Sequence, residues 1–360
     1  MIKVNDKIDT SDVKVEKIGP STFNYLFNGC KYSYLLGHTK NIDKRAILPS
    51  PKNTILGTII HSLFEKRIKG LIQSEKEFEE LWESELRKEE NKITQNYGIK
   101  DYSLADYDKM YAAMETAMKM PQVTNVSKAN VVFTHDSSSP ISVELPVETD
   151  CLIGKIDKVE RSNNSAKIID FKTGKIIDEG SGSIKEDYIV QLNLYSHMFE
   201  SAEGLNVSEL EIIDVDGNTY NVPLWHDTKL QNTLKDVRKL IDDLNSGQGE
   251  LLAHPSEKCA FCSARMTCNH YWCSPYRIAS DNEDPTKVFE DKEIQVSSIV
   301  NRDGDVIEYK NGRIKGMSRF NEKLELGKTY RIRGLIFNGN NYEFGELYST
   351  CDQSVVVELI

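Results

Sequence analysis

The sequence lacks the features that would direct it into a membrane or out of the cell. No apolar run in its 360 residues approaches the length needed to span a bilayer. The first residues, MIKVNDKIDTSDVKVEK, contain no apolar signal-peptide core, so we expect a cytoplasmic protein with no membrane partner. A P-loop is also absent, which excludes a recognisable helicase motor, and no internal repeat is evident.

The chain also lacks an excess of positive charge. It has 45 Lys and Arg residues against 56 Asp and Glu residues, a net charge of −11, which argues against broad coating of nucleic acid. Overall charge governs solubility and steering rather than one groove. Lysine is frequent near the N-terminus and between residues 167 and 185, so a local basic channel stays compatible with this composition.

The cysteines do not suit a disulfide framework. There are seven, an odd number, and no secretion signal, so ligation of a metal is the better interpretation. Three form a C-x2-C-x5-C pattern, namely Cys259, Cys262 and Cys268. This spacing is typical of a metal centre. The fourth ligand could be Cys273, in a local zinc site, or Cys30, which would join the beginning of the chain to its end. Cys151 and Cys351 are expected to be buried apolar residues.

Hydrophobic periodicity divides the chain into helical and strand segments. Helices are predicted at residues 18–36, 55–73, 75–97, 103–120, 187–201 and 228–244. The first is expected to begin with a Ser21 cap and to hold Cys30 near its end. Strands are predicted within residues 130–173, with turns at 137–140 and 161–165, and within residues 210–222.

Beyond residue 273 the pattern changes to short strands. Residues 274–290 are predicted to be a linker, and residues 291–360 a small all-β domain. Its turn signals lie at residues 303–304, 311–312 and 338–339. We expect a β-barrel or β-sandwich there, and an OB-like barrel would suit nucleic acid. The larger domain before it is predicted to span residues 1–273.

Two carboxylates and a lysine lie on two predicted neighbouring strands. Asp157 is on the first strand, and Asp170 and Lys172 are on the second, so a hairpin would place the carboxylates side by side. Asp170 and Lys172 share one face, while Phe171 points to the other. Apolar residues occupy both faces of the second strand, which is typical of a central strand.

Buried carboxylates and an ammonium group are costly unless they are paired or hold a cation. Taken alone, Asp157, Asp170 and Lys172 could be a structural ion pair at the end of a hairpin. Carboxylate oxygens also suit Mg²⁺ or Mn²⁺, and a neighbouring lysine can then orient a water for attack. This second interpretation is the chemistry of phosphodiester hydrolysis.

Two helices carry further candidates at a spacing of four residues. His61 and Glu65 share one helical face. His61 could be a metal ligand, or it could be a core histidine whose hydrogen bonds are satisfied within the protein. Glu65 could position its helix or Lys172. Gln191 and Tyr195 fit the polar edges of an ordinary amphipathic helix. Alternatively, Gln191 could donate a hydrogen bond that orients a phosphate or the attacking water, and Tyr195 could line the path of the nucleic-acid strand. Glu144 or Glu148, on the preceding strand, could add another acidic group.

The order of four short motifs resembles the RecB-like branch of the PD-(D/E)XK nuclease superfamily. The motifs are Gly57-Thr58-x-x-His61-x-x-x-Glu65, Gly154-x-x-Asp157, Asp170-x-Lys172-Thr173-Gly174 and Gln191-Leu192-x-x-Tyr195. The resemblance covers about residues 18–273. It implies an α/β (α+β) fold with a restriction-endonuclease-like mixed sheet flanked by helices. It also implies that Lys172 is the catalytic lysine and that the metal ligands are His61, Asp157, Asp170 and the Phe171 carbonyl.

The cysteine pattern is similar to that of the iron–sulfur subgroup of these nucleases, which includes the AddB subunit and CRISPR-associated exonucleases. In that subgroup one cysteine precedes the nuclease core and three follow it as C-x2-C-x5-C. The resemblance implies a 4Fe–4S cluster on four residues, namely Cys30, Cys259, Cys262 and Cys268. Zinc bound with Cys273 is the alternative.

These observations together predict a Mg²⁺- or Mn²⁺-dependent DNA nuclease, acting as an exonuclease on single strands or DNA ends. DNA repair, recombination and defence against foreign DNA are the expected settings. A helicase or another protein is a candidate partner for the C-terminal β domain. The competing hypotheses are a non-enzymatic iron–sulfur protein that binds DNA or assembles complexes, and an RNA-processing enzyme.

Overall fold

The computed structural model of the protein describes residues 2–99, 102–104, 109–120, 140–162, 164–225, 227–276, 278–279, 288–300, 304–351 and 354–360. Within these ranges, no helix is both long and apolar enough to cross a membrane. The strand signals predicted at residues 130–139, most of the predicted linker and residue 303 of a predicted turn lie outside the described residues.

Eight α-helices occur in the described part of the chain. They are α1 (Pro20–Phe27), α2 (Lys31–His38), α3 (Lys52–Ile68), α4 (Glu75–Tyr97), α5 (Lys109–Lys119), α6 (Glu186–Glu203), α7 (Asp227–Asn245) and α8 (Asn269–Trp272). Together with two mixed β-sheets, they confirm the predicted α/β class with additional strands at the C-terminus.

The single helix predicted over residues 18–36 is wrong, because the chain forms α1 and α2 there. Ser21 lies inside α1, whose N-cap is Gly19. The two helices are separated near Gly29, where a side chain would collide with a backbone carbonyl oxygen of α1. Cys30 is therefore the N-cap of α2 rather than a residue near the end of a helix.

The ends of α3 and α4 follow local capping chemistry. α3 begins directly after Pro51 and ends before Gly70, whose φ of 71° suits a glycine that terminates a helix. α4 has the predicted bounds, because the Ser74 hydroxyl oxygen accepts a hydrogen bond from the Glu77 amide at 3.2 Å. At its other end Gly98 has a φ of 64°, the left-handed conformation of a helix C-cap.

Fourteen β-strands in the described residues form two sheets. The first sheet contains β2 (Ile141–Glu148), β3 (Ile153–Arg161), β4 (Ser165–Lys172), β5 (Asn206–Asp214) and β6 (Thr219–Val222). The second contains β1 (Ile2–Val4), β7 (Ile278–Ala279), β8 (Phe289–Gln295), β9 (Ser298–Ile299), β10 (Val306–Tyr309), β11 (Gly312–Lys315), β12 (Thr329–Asn341), β13 (Gly345–Ser349) and β14 (Val355–Leu359).

The first sheet is mixed, and β4 lies at its centre. β2, β3 and β4 pair antiparallel, β4 and β5 pair parallel through the crossover helix α6, and β6 returns antiparallel to β5. Ile168 packs with Leu192 of α6 in the core on one face. Phe171 packs against Phe64 of α3 on the other face, with ring centroids 5.4 Å apart. Burial of both faces explains why β4 is apolar on both sides.

The second sheet joins the two ends of the described chain. β1 pairs parallel with β14, and β12 pairs with β8 along one edge and with β14 and then β13 along the other. Residues of β1 and β14 share a hydrophobic core with α3. The predicted division at residues 1–273, 274–290 and 291–360 stays a prediction; residues 2–4 lie in the C-terminal sheet, and β8 begins at Phe289.

Candidate active site

Three carboxylates lie in a row across three neighbouring strands. β2 and β3 pair the residues that flank Glu144 and Asp157 on both sides, so these two acids lie opposite each other. β3 and β4 pair Lys158 with Ile169, the neighbours of Asp157 and Asp170, which brings these two acids next to each other. Like charges at opposed positions are destabilising, so such a row requires compensating cations.

Glu144 belongs to this row, whereas Glu148 does not. Glu144 has a φ of 50°, an uncommon backbone conformation for a residue other than glycine, which costs roughly 1–3 kcal/mol. Burial, with the nearby charges of Asp157 and Glu65, raises the pKa of Glu144. Glu148 instead forms an exposed ion pair with Lys17 at 3.0 Å. Of the two acids proposed from the sequence, the structure therefore brings only Glu144 to the site.

Asp170 is held by two side chains on opposite oxygens. Gln191 Nε2 donates a hydrogen bond to Oδ1 at 3.2 Å, and Lys172 Nζ lies 2.7 Å from Oδ2. Asp170 is buried, with 3% of its surface exposed. Oδ2 makes this ion pair but no directional hydrogen bond with any described residue, so it retains a lone pair for a cation.

The pKa values of both members of this pair are shifted by burial and by neighbouring charges. Burial, together with the adjacent charge of Asp157, raises the pKa of Asp170 to about 6. The Lys172 ammonium is also desolvated, but the negative charge of Asp170 outweighs this effect and raises the pKa of Lys172. Lys172 is therefore a cation at neutral pH, as a role beside a phosphate requires.

Asp157 is fixed at the point where β3 and β4 separate. Its Oδ2 accepts a hydrogen bond from the Phe171 amide at 2.8 Å and lies 3.4 Å from His61 Nδ1. Despite burial, the hydrogen bond and charge of Asp157 raise the pKa of His61, and His61 in turn lowers that of Asp157. The helix α3 thus brings an imidazole to the row of acids.

The other predicted residues occupy different positions around the site. Glu65 forms an ion pair with Lys69, one turn along α3, and the described contacts do not link it with Lys172. Tyr195 is buried and lies so close to Gly154 that a Cβ there would be 2.9 Å from its ring. This close approach is why glycine is required in the Gly154-x-x-Asp157 motif. The Phe171 carbonyl stays a predicted ligand.

Tyr188 is a site residue that the sequence analysis missed. Lys172 Nζ lies 5.1 Å from the centre of its ring, within range of a cation–π interaction. The signal was present in the sequence, because Tyr188 precedes Gln191 by three residues and therefore shares its helical face.

The donors are of the right chemical type for a divalent cation, although they are not preassembled. Among the described residues, no three His, Cys, Asp or Glu side chains are already arranged to hold a metal ion. His61 is instead bonded to Asp157, and Asp170 to Lys172. The free lone pair of Asp170 Oδ2 and the row of carboxylates nevertheless fit a hard cation.

The pKa of Asp170 predicts how the stability of EDTA-treated protein depends on pH. Because the folded value of about 6 exceeds the ordinary 3.8, the stability from this group is present below pH 3.8 and lost as pH rises through about 6. The loss is about 3 kcal/mol. Asp170→Asn should therefore reduce the fall in melting temperature between acidic and alkaline buffers. An equal fall in the wild type and in Asp170→Asn would contradict this assignment.

Four cysteines line one cavity whose lining contains none of the three carboxylates. The cavity has a volume of about 320 Å³, and its lining includes Cys30, Cys259, Cys262 and Cys268. Cys273 is exposed, does not line this cavity, and has its Sγ 3.8 Å from Asn269 Oδ1. The structure therefore brings Cys30, from the beginning of the chain, to the same cavity as the three cysteines of residues 259–268. Cys151 is buried as expected, and Cys351 is half-buried.

Backbone amides surround these sulfur atoms. The amides of His254 and Ser256 donate to Cys30 Sγ at 3.4 Å and to Cys259 Sγ at 3.3 Å. Burial raises the pKa of Cys262 to about 12 and that of Cys268 to about 11. Burial therefore favours the neutral thiols at Cys262 and Cys268.

A row of acids across three strands of a mixed sheet, with a lysine at the end of the central strand, is typical of enzymes that hydrolyse phosphodiester bonds. The family model of the PD-(D/E)XK nuclease superfamily matches residues 20–269, and the chain belongs to this superfamily. A search of curated proteins found no match. The iron–sulfur subgroup stays a prediction, because the match defines the superfamily alone.

Proposed function

We propose that the protein is a Mg²⁺- or Mn²⁺-dependent deoxyribonuclease that acts as an exonuclease on single strands or DNA ends. The observation that carries this proposal is the row of Glu144, Asp157 and Asp170, with the Lys172 ammonium 2.7 Å from an Asp170 oxygen. Membership of the nuclease superfamily supports hydrolysis of nucleic acid. The order of the four motifs, similar to RecB-like enzymes, supports DNA.

The residues that would hold the cation are His61, Asp157 and Asp170, with the Phe171 carbonyl and Glu144 as further oxygen donors. A bound Mg²⁺ or Mn²⁺ supplies Lewis acidity, which lowers the pKa of a water and offsets charge on the phosphate. Binding would replace the present contact between His61 and Asp157. It would also stabilise Asp170 as an anion, although burial favours its protonated form.

Lys172 acts on the reacting groups through its charge. Its ammonium can orient the attacking water and stabilise the negative charge that develops on the phosphate oxygens. Gln191 holds Asp170 through Oδ1, which leaves Oδ2 for Lys172 and the cation. The Tyr188 ring covers Lys172 on one side, and the buried Tyr195 packs against Gly154 at the edge of the site.

Labelled DNA and RNA test this proposal directly. Purified protein should cleave DNA in the presence of Mg²⁺ or Mn²⁺. Cleavage should stop when EDTA is added, because the carboxylate row needs a cation. Single-stranded, blunt-ended and closed circular DNA of the same sequence would show whether ends are required. Binding without cleavage under all metal conditions would favour the non-enzymatic hypothesis. Faster cleavage of matched RNA would favour the RNA-processing hypothesis.

The second part of the proposal is a 4Fe–4S cluster on Cys30, Cys259, Cys262 and Cys268. It is supported by the four cysteines at one cavity and by the amides that donate to their sulfurs. A local zinc site would need Cys273 as its fourth ligand, and Cys273 does not line this cavity. Repair, recombination and defence stay predicted settings, and a helicase stays a predicted partner.

A further inference from the structure

The C-terminal sheet contacts the segment that carries three of the four cysteines. We call residues 259–273 the cysteine loop. Asp291, on β8, is buried with 3% of its surface exposed. Its Oδ2 accepts hydrogen bonds from Arg265 Nε at 2.9 Å and from the Tyr271 hydroxyl at 3.0 Å, and both donors belong to the loop. Its Oδ1 accepts from the Gly334 amide of β12 at 2.9 Å.

Arg265 organises the interior of the cysteine loop. It lies between Cys262 and Cys268, and its side chain is buried with 2% exposed. Its Nη1 donates to the carbonyl oxygens of Ala260 and Cys262. The guanidinium thus fixes the turn that carries the cysteines, and Asp291 fixes the guanidinium.

Arg331, on β12, makes a second and independent connection. Its fully buried guanidinium donates to the Met266 carbonyl and to Asn269 Oδ1, each at 3.3 Å, and these residues flank Cys268 on both sides. It also lies 5.3 Å from the centre of the Trp272 ring. On the sheet, Glu293 accepts from Arg331 Nε at 2.8 Å.

These contacts are expected to matter because they are buried. Removing one member of a buried ion pair leaves a charge without compensation, whereas exposed pairs contribute little. The loop contains the end of one 3₁₀ helix, a series of turns and the four-residue helix α8, so its conformation depends on such contacts.

We infer that the C-terminal sheet is a structural part of the cysteine centre, and that Asp291 and Arg331 are positioning residues for its cysteine ligands. The inference rests on the metal centre proposed above and does not depend on nuclease activity. It gives the C-terminal strands a role within the chain itself: they hold Cys259, Cys262 and Cys268 toward Cys30.

The test compares the wild-type protein with Asp291→Asn, Tyr271→Phe and the control Ile314→Ala, all purified without oxygen. Ile314 is buried in a core within the C-terminal sheet, so its truncation destabilises that sheet without touching the cysteine loop. Iron and zinc per chain, visible absorption and circular dichroism would be measured for each. Asp291→Asn should retain less than about half of the wild-type metal, while Ile314→Ala should retain all of it.

Tyr271→Phe keeps the aromatic packing and removes only the hydroxyl that donates to Asp291. Loss of a hydrogen bond to a charged group should make metal release to a chelator on the order of tenfold faster, so the inference stays testable even if Asp291→Asn does not fold. A wild-type protein without metal would refute the proposed centre. A metal-loaded wild type with equal loading and release in Asp291→Asn and Tyr271→Phe would refute this inference alone.

Discussion

Replacing Lys172 with alanine is expected to slow DNA cleavage on the order of 10³-fold without unfolding the protein. The ammonium lies 2.7 Å from Asp170 Oδ2, at the end of a central strand, so it can act on a phosphate held by the same carboxylate. Asp170→Ala should have an effect at least as large, because it also removes an oxygen donor for the cation. Single-turnover cleavage of end-labelled DNA would measure both effects.

Lys175→Ala is a matched control for this prediction. Lys175 follows Lys172 by three residues, but its side chain is exposed and pairs with Glu179 on the surface. The Lys175→Ala protein should cleave DNA at the wild-type rate, since exposed ion pairs contribute little to stability. DNA affinity and circular dichroism should be unchanged in Lys172→Ala. Cleavage by this variant at the wild-type rate would refute the assigned role of Lys172.

The acids and lysine of the site could be predicted from sequence because they depend on local geometry. Alternation along a strand places Asp170 and Lys172 on one face, and a short hairpin sets the pairing of the strand with Asp157. Motif order then adds His61 and Gln191, which come from helices that pack on opposite faces of the sheet. These positions could be predicted because side-chain alternation, hairpin pairing and motif order can each be read from short segments of the sequence.

Other features depend on contacts that no local pattern encodes. The position of Glu144 requires the register between β2 and β3, together with a left-handed backbone at a residue other than glycine. The pairing of β1 with β14 joins segments about as far apart as the chain allows, and three-residue strands carry little periodicity. The chain breaks into α1 and α2 near Gly29, where the backbone packs tightly against the end of α1. The helical periodicity of this segment is weak, so the sequence pattern does not reveal the break.

The largest expected effect on stability comes from Cys30→Ser. A centre that includes Cys30 and Cys259 closes a loop through the entire nuclease core, so its loss removes a constraint on the unfolded chain. By the loop-closure relation for disulfides, the cost is about 5 kcal/mol, or roughly 7 °C in melting temperature. Visible absorption from thiolate-bound iron should disappear at the same time. Absorption spectra, iron analysis and thermal unfolding of anaerobically purified protein would measure these changes.

Cys273→Ser separates the two candidate centres. Cys273 is exposed and does not line the cavity, so its replacement should leave absorption, metal content and melting temperature unchanged. In a zinc centre built on Cys273 the two variants would exchange behaviour: the protein would be colourless, Cys30→Ser would keep its metal, and Cys273→Ser would lose it. The pair of variants therefore distinguishes a centre that joins both sides of the nuclease core from one that stabilises only the cysteine loop. The geometry favours the first, because Cys30 reaches the cavity from the start of α2, before the core in the sequence, and the other three cysteines reach it from the loop that follows.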